Sequence, residues 1–112
     1  MTGEEDSELH ELLDMLPAAF ARARGMGIAQ IGNPLPRILS AASNEIANMD
    51  IRVGNLIQAG ATTRQMASVR NRLLLRQGQL VPFQRDGRVQ DLLVDIQMML
   101  DDIYDSYPRL AP

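Results

Sequence analysis

The chain has 112 residues, 46% hydrophobic and 22% charged, and its formal net charge is −3. This length and balance fit one globular domain with a modest core and exclude wholesale disorder. The lack of cysteine excludes disulfides, thiolate metal sites and cysteine nucleophiles. No apolar run is long enough to cross a membrane, and residues 1–11 are acidic where a secretory signal would be basic. We interpret the protein as cytoplasmic and expect no cofactor.

The charges are segregated along the chain. Residues 1–21 hold six acidic residues and no arginine, residues 52–88 hold seven arginines and one acid, and residues 89–112 hold five aspartates and one arginine. All eleven basic residues are arginine, whose planar guanidinium suits ion pairs and interfaces. Blocks of opposite charge can pair inside one domain or bind partners.

The N-terminal part is predicted to be helical with one interruption. We expect residues 1–6 to form a flexible acidic lead-in and Ser7 to cap a helix with an apolar inner face: Leu9, Leu12, Leu13 and Leu16. Pro17 lacks an N–H, so it must kink this helix or begin another that continues to Arg24. Residues 26–33 contain two glycines and are predicted to form a loop.

The longest predicted helix spans about residues 34–59. Asn33 followed by Pro34 is a helix-start signal, and Gly60 supplies a left-handed stop. Between them, apolar residues recur at a 3.5-residue period typical of helices packed at a shallow angle: Leu39, Ala42, Ile46, Met49, Val53 and Leu56. Gly54 interrupts this helix and indicates a close approach of another helix.

Two further helices follow. Thr62 and Gln65 fit a capping box, which begins a helix that we expect to end at Gly78. Residues 79–87 form a connector, and Asp86 caps a last helix ended by Pro108. The inner side of that helix is apolar, with aspartates opposite: Val89, Leu92, Leu93, Ile96, Met99, Leu100, Ile103 and Tyr107.

These patterns together predict an all-α fold, a four-helix, up-down bundle-like domain with one long central helix. The single helical domain is expected over residues 7–108, and residues 109–112 form a C-terminal tail.

The arginine-rich segment 64–78 is open to three interpretations. On a helix, Arg70, Arg72 and Arg76 border the inner stripe of Met66, Val69 and Leu73. They can pair with acids of the first or last helix or face water, since a long side chain can lie along the core edge. They can instead contact a protein partner or a nucleic acid.

Apolar residues around the end of the same helix predict an interface. Leu74 and Leu75 fall outside the inner stripe, and Leu80, Val81 and Phe83 follow in the connector. Together they could form an exposed apolar patch, although the 79–87 connector could also cover them. The same reasoning extends to Met98 and Leu110. A small bundle with four aromatic residues gains from association, so we expect a homodimer or a place in a larger assembly.

Two stretches resemble known families. Residues 56–73, LIQAGATTRQMASVRNRL, loosely resemble a helix–turn–helix, which implies DNA binding through phosphate neutralisation. Residues 44–57, NEIANMDIRVGNLI, resemble the long first helix of the helical chorismate mutases, which are small arginine-dependent dimers. That family's site also uses a lysine, which this chain lacks, so no catalytic residue is assigned.

The leading hypothesis is a small non-catalytic helical interaction module, such as an adaptor, a chaperone-like protein or an assembly subunit of a phage or secretion system. Its partner is a protein or a second copy, bound by the apolar patch and oriented by the arginines. The alternative is a DNA-binding or regulatory protein using residues 52–76. A small all-α enzyme is a second alternative, and His10, on an acidic turn, offers a poor metal site.

Overall fold

The structure, a computed structural model, describes residues 2–26 and 33–112, and the side chains of 8–25 and 33–112. The described residues form five α-helices, two 3₁₀-helices and no strand. The α-helices are α1 (Thr2–Asp14), α2 (Leu16–Met26), α3 (Leu35–Gln58), α4 (Thr63–Leu80) and α5 (Gly87–Ser106). The chain divides into two compact units, Met1–Ser43 and Asn44–Pro112, and the boundary falls inside α3.

The all-α class is confirmed, but the four-helix bundle is not, because the described residues form five α-helices. The chain turns at Met15, whose N–H donates to the Leu12 carbonyl, and α2 begins at the next residue. Pro17 lies in the first turn of α2, where the N–H that proline lacks would have no partner in the helix. The predicted first helix is therefore two helices.

In the first unit, α1 begins at Thr2, so Ser7 lies inside the helix and is not its cap. The predicted inner face is confirmed as buried: Leu9, Leu12, Leu13 and Leu16. Met26, which was predicted to begin the loop, belongs to α2, and residues 27–32, the middle of that predicted loop, lie outside the described residues.

Both ends of α3 follow the sequence signals. The Asn33 side-chain oxygen accepts from the Leu35 N–H at 3.1 Å, so the predicted start is confirmed. Gly60 has a φ of +69°. Its N–H donates to Ile57 and the Ala61 N–H donates to Leu56, the pair of bonds that defines a Schellman motif.

The heptad-like stripe of α3 is buried from Leu35 to Val53, while Leu56 and Ile57 are half-buried. The prediction for Gly54 was wrong, because a Cβ added there would meet no other atom within 4 Å. The backbone at this residue is exposed to solvent, so no neighbouring helix comes close enough to require a glycine.

The start of α4 is a complete capping box. The Thr62 hydroxyl accepts from the Gln65 N–H at 3.1 Å, and the Gln65 side chain accepts from the Thr62 N–H at 2.8 Å. The predicted end at Gly78 was wrong by two residues, because Gly78 keeps helical geometry and α4 continues to Leu80. Leu80 is fully buried, so this last turn is stabilised by packing despite the glycine.

Replacing Thr62 with alanine is expected to lower the free energy of unfolding by about 1 kcal/mol, because an orphan N–H loses its acceptor. Urea denaturation followed by circular dichroism measures the loss. The neighbouring Thr63→Ala is the control and should stay within about 0.5 kcal/mol of the parent, since it is exposed and leaves the capping box intact. Equal effects at both positions would contradict a specific capping role.

A 3₁₀-helix (Val81–Phe83) leads from α4 to Asp86, whose carboxylate accepts from the Arg88 N–H and caps α5 as predicted. The predicted inner side of α5 is buried except for Leu93 and Tyr107, which are half-buried. Contacts between α4 and α5 build the core of the second unit.

The residues that follow α5 pack against the turn after α3 and against α4. Pro108–Leu110 form a short 3₁₀-helix, and Leu110 is buried. The Tyr107 hydroxyl donates to the Ala61 carbonyl at 2.6 Å, and Arg70 donates to the Leu110 carbonyl at 3.0 Å. Leu110 therefore belongs to the core of this unit rather than to an exposed patch.

Candidate interaction surface

The arginines of α4 occupy different environments, and Arg76 is the most buried, with 3% of its surface exposed. Its guanidinium forms two hydrogen bonds with the Glu45 carboxylate, Nε to Oε1 at 2.8 Å and Nη2 to Oε2 at 3.1 Å. The remaining Nη1 donates to the Gln79 side chain at 3.1 Å. This bidentate geometry satisfies a buried charge.

The acid that pairs with Arg76 comes from α3, and not from the first or last helix as expected. Glu45 is the only acidic residue between positions 15 and 49, and it adjoins Ile46 of the buried stripe. This isolated acid beside an apolar stripe is the signal that could have identified it. The pair is structural, so Arg76 is unavailable to a partner.

Arg70 is half-buried and also serves the fold. Its Nε and Nη2 donate to the Asn71 side chain, and its Nη1 donates to the Leu110 carbonyl. Arg72 is half-buried and is likewise engaged in a noncovalent interaction. Of the three predicted partner-binding arginines, Arg70 and Arg76 are thus held by contacts inside the second unit, and Arg72 is engaged as well.

The other two arginines of residues 52–76 are exposed. Arg52 on α3 and Arg64 at the start of α4 form no hydrogen bond or ion pair with any residue that the structure describes. Both belong to the arginine-rich block 52–88 and keep their guanidinium groups in solvent. The basic character of this surface therefore comes from Arg52 and Arg64 rather than from Arg76.

The predicted apolar patch is reduced but present. Leu74, Leu75 and Val81 are exposed by 41%, 49% and 41%. Phe83 is half-buried, and Leu80 belongs to the core, so it is removed from the patch. We call Leu74, Leu75 and Val81 the α4 patch. Leu74 and Val81 are seven residues apart and share one side, while Leu75 lies about 100° around the helix from Leu74.

Other exposed apolar side chains lie on the neighbouring helices of the unit. Met98 on α5 is 61% exposed, as the sequence indicated, while Ile51 on α3 and Val94 on α5 were not predicted. Val94 precedes Asp95 on the polar side of α5, and Ile51 lies opposite the buried stripe of α3. Both could have been found by marking apolar residues outside the buried stripes.

A cleft of about 360 Å³ lies between the C-terminal parts of α3 and α5. Its walls combine three aspartates with apolar and small residues: Asp50, Val53, Gly54, Ile57, Gln58, Asp102, Asp105 and Ser106. Within the described residues, no group of three or more histidines, cysteines or acids is arranged to hold a metal ion.

An exposed ion pair marks the start of α5. The Arg88 guanidinium donates to the Asp86 carboxylate at 2.8 Å and 3.0 Å. This hydrogen bond is the main reason that the pKa of Asp86 lies below its usual value. The same carboxylate also accepts from the Arg88 backbone N–H and caps the helix, so its charge stabilises the fold through both the ion pair and the cap.

Because folding lowers the pKa of Asp86, its charge stabilises the fold above the ordinary pKa of about 3.9. That contribution is lost as the pH falls through the lowered folded-state pKa. Asp86→Asn keeps a good cap and removes the charge, so it should be less stable than the parent at pH 7. The difference should shrink below about pH 4 in urea denaturation. A difference in unfolding free energy that persists at low pH would contradict a stabilising role for the Asp86 charge. Asp86→Ala measures the combined loss of the cap and the charge.

No family model, curated protein or solved structure matches this sequence. In the part of the chain that the structure describes, no helix is long and apolar enough to cross a membrane.

Proposed function

We propose that this protein is a small non-catalytic interaction module that binds another protein through the α4 patch. The observation that carries the proposal is the exposure of Leu74, Leu75 and Val81, each by more than two fifths, within eight residues. Three apolar side chains left in water do not stabilise the fold. A partner that covers them removes their apolar area from water, and this stabilises the complex. An adaptor, a chaperone-like protein or an assembly subunit of a phage or secretion system, in the cytoplasm, fits this role.

The surroundings of the α4 patch favour an acidic partner. No acidic residue occurs between positions 51 and 85, and the Glu45 carboxylate that contacts α4 is neutralised by Arg76. Arg52, Arg64 and Arg85 are exposed in the same stretch. Charges at the border of an interface set orientation and association rate more than affinity.

The hydrogen-bond partners of Arg70 and Arg76 favour a binding protein over an enzyme. An arginine-dependent enzyme of the chorismate mutase type needs guanidinium groups directed at a substrate. These two groups are directed at Glu45, Gln79, Asn71 and the Leu110 carbonyl. Their contribution is to hold the helices on which the α4 patch lies.

Site-specific photo-crosslinking tests the proposal. A photoreactive residue at position 75 or 81 should capture a protein that the same residue at Gln90, an exposed position on α5, does not. The captured protein is then produced separately and its binding measured by calorimetry. Leu75→Glu should weaken that binding at least about tenfold, or 1.4 kcal/mol. Gln90→Glu adds the same charge and should have no effect. Unchanged binding by Leu75→Glu would rule out the α4 patch.

Binding to nucleic acid by residues 52–76 is the second candidate, favoured by the exposed Arg52 and Arg64. A gel-shift series with generic duplex DNA separates the two, because each phosphate contact steepens the fall of affinity with salt. Binding at low salt that weakens in Arg52→Gln and Arg64→Gln would support this candidate. We expect none, because the net charge is −3 and Arg70 and Arg76 are engaged inside the fold.

A further inference from the structure

The outer side of α5 carries a stripe of acidic residues around an exposed methionine. Asp91, Asp95, Met98 and Asp102 follow one another at intervals of four, three and four residues, which places them along one side of the helix. All four are exposed, and the three carboxylates form no ion pair with any described residue. We call these four residues the acidic stripe.

The edge where α3 lies against α4 carries the opposite pattern. The Glu45–Arg76 pair joins the two helices, which the turn at Gly60 makes antiparallel. Arg52 lies two turns beyond Glu45 on α3, so it follows the same edge and is exposed. Leu75, which is 49% exposed, borders this edge on the solvent side of α4.

Arg64 extends the pattern along α4, because it precedes Leu75 by three turns on the same side. We call Arg52, Arg64 and Leu75, all exposed, the basic edge. The basic edge and the acidic stripe are complementary. Each has one exposed apolar side chain, Leu75 or Met98, and each has charges of one sign at a distance of one or more helical turns. Residues 44–112 contain eight arginines and eight acidic residues, so the second unit is neutral but polarised.

We propose that the acidic stripe of one copy packs on the basic edge of a second copy. Met98 and Leu75 then lose their exposure to water, while aspartates meet arginines across the contact. The two surfaces differ, so the interface is heterologous and each copy keeps one surface open to the next. The inference rests on the proposed function, since it names a second copy as the partner of the Leu75 side of α4.

Light scattering after size exclusion tests this directly on the full chain. At low salt the wild-type protein should show a mass above the 12.4 kDa monomer that rises with concentration. The mass should fall toward the monomer at about 1 M NaCl, where screening reaches to about 3 Å. Gln90→Arg adds a charge elsewhere on α5 and should leave the assembly unchanged.

Two variants separate the two surfaces. Met98→Arg places a cation in the acidic stripe, and Leu75→Asp places an acid in the basic edge; both positions are exposed, so folding should persist by circular dichroism. Each variant alone should be monomeric. Mixed in equal amounts they should associate to at least twice the monomer mass, because the intact stripe of one variant meets the intact edge of the other.

A monomeric wild-type protein at low salt would overturn the inference, as would single variants that still assemble or a mixture that stays monomeric. These results leave the proposed function in place if a different protein is captured at position 75 and released by Leu75→Glu. Conversely, assembly of the mixture with no other captured protein would support self-association alone.

Discussion

Replacing Arg76 with methionine is expected to lower the free energy of unfolding by about 3 kcal/mol. The Arg76 side chain is 4% exposed and the Glu45 side chain 15% exposed, so the variant leaves a largely buried acidic side chain without its partner. Breaking a buried pair on one side is more damaging than removing both sides, because the remaining charge still lacks hydration. Urea denaturation at neutral pH measures this loss.

The matched control for this prediction is the double variant Arg76→Met with Glu45→Met. It replaces both charges with apolar chains of similar length, so it should recover most of the stability lost by Arg76→Met and lie within about 1 kcal/mol of the parent. Losses that add up across the two single variants would mean that the two side chains act independently, contrary to the 2.8 Å contact between them.

Replacing Leu73 with alanine is expected to lower the free energy of unfolding by about 3 kcal/mol, within the range for leucine in a closed core. Leu73 is fully buried on the inner side of α4, and truncation leaves a cavity that its neighbours fill incompletely. The unfolding midpoint in urea should fall with an unchanged slope, which marks a change in stability rather than in compactness.

Leu74 provides the control one residue along the chain. It has the same side chain and the same helix, but 41% of its surface is exposed. Leu74→Ala should therefore change stability by about 0.5 kcal/mol or less. If Leu74→Ala destabilises the protein as much as Leu73→Ala does, Leu74 would be covered in solution, and the α4 patch would lose one of its three members.

Local sequence signals predicted the helix ends well when both partners lay within a few residues. The Asn33 cap, the Gly60 stop, the Thr62–Gln65 box and the Asp86 cap each join atoms two to five positions apart. Such signals depend on backbone geometry alone, so a single sequence is enough to identify them. The apolar period of α3 was equally informative, because a stripe must face a core wherever that core lies.

Features set by distant residues could not be predicted in the same way. Gly78 carries the residue type of a helix stop, yet burial of Leu80 two residues later keeps the helix intact. The partner of Arg76 lies 31 residues earlier, and although the isolation of Glu45 beside the α3 stripe marks it as a candidate, that pattern does not say which arginine it meets. In the candidate surface, Leu75 and Val81 are exposed, whereas Leu80, which we expected in the connector, ends α4 and is buried.

The contacts of Tyr107 and Leu110 bear on how the second unit folds during synthesis. These residues bond to Ala61 and Arg70, which precede them by 46 and 40 positions. The turn after α3 and the middle of α4 therefore leave the ribosome long before the groups that complete their hydrogen bonds. These two hydrogen bonds therefore form only after positions 107 and 110 have emerged, which makes them late steps in the folding of the unit. A ribosome stalled before that point would leave the Ala61 carbonyl and the Arg70 guanidinium without these partners.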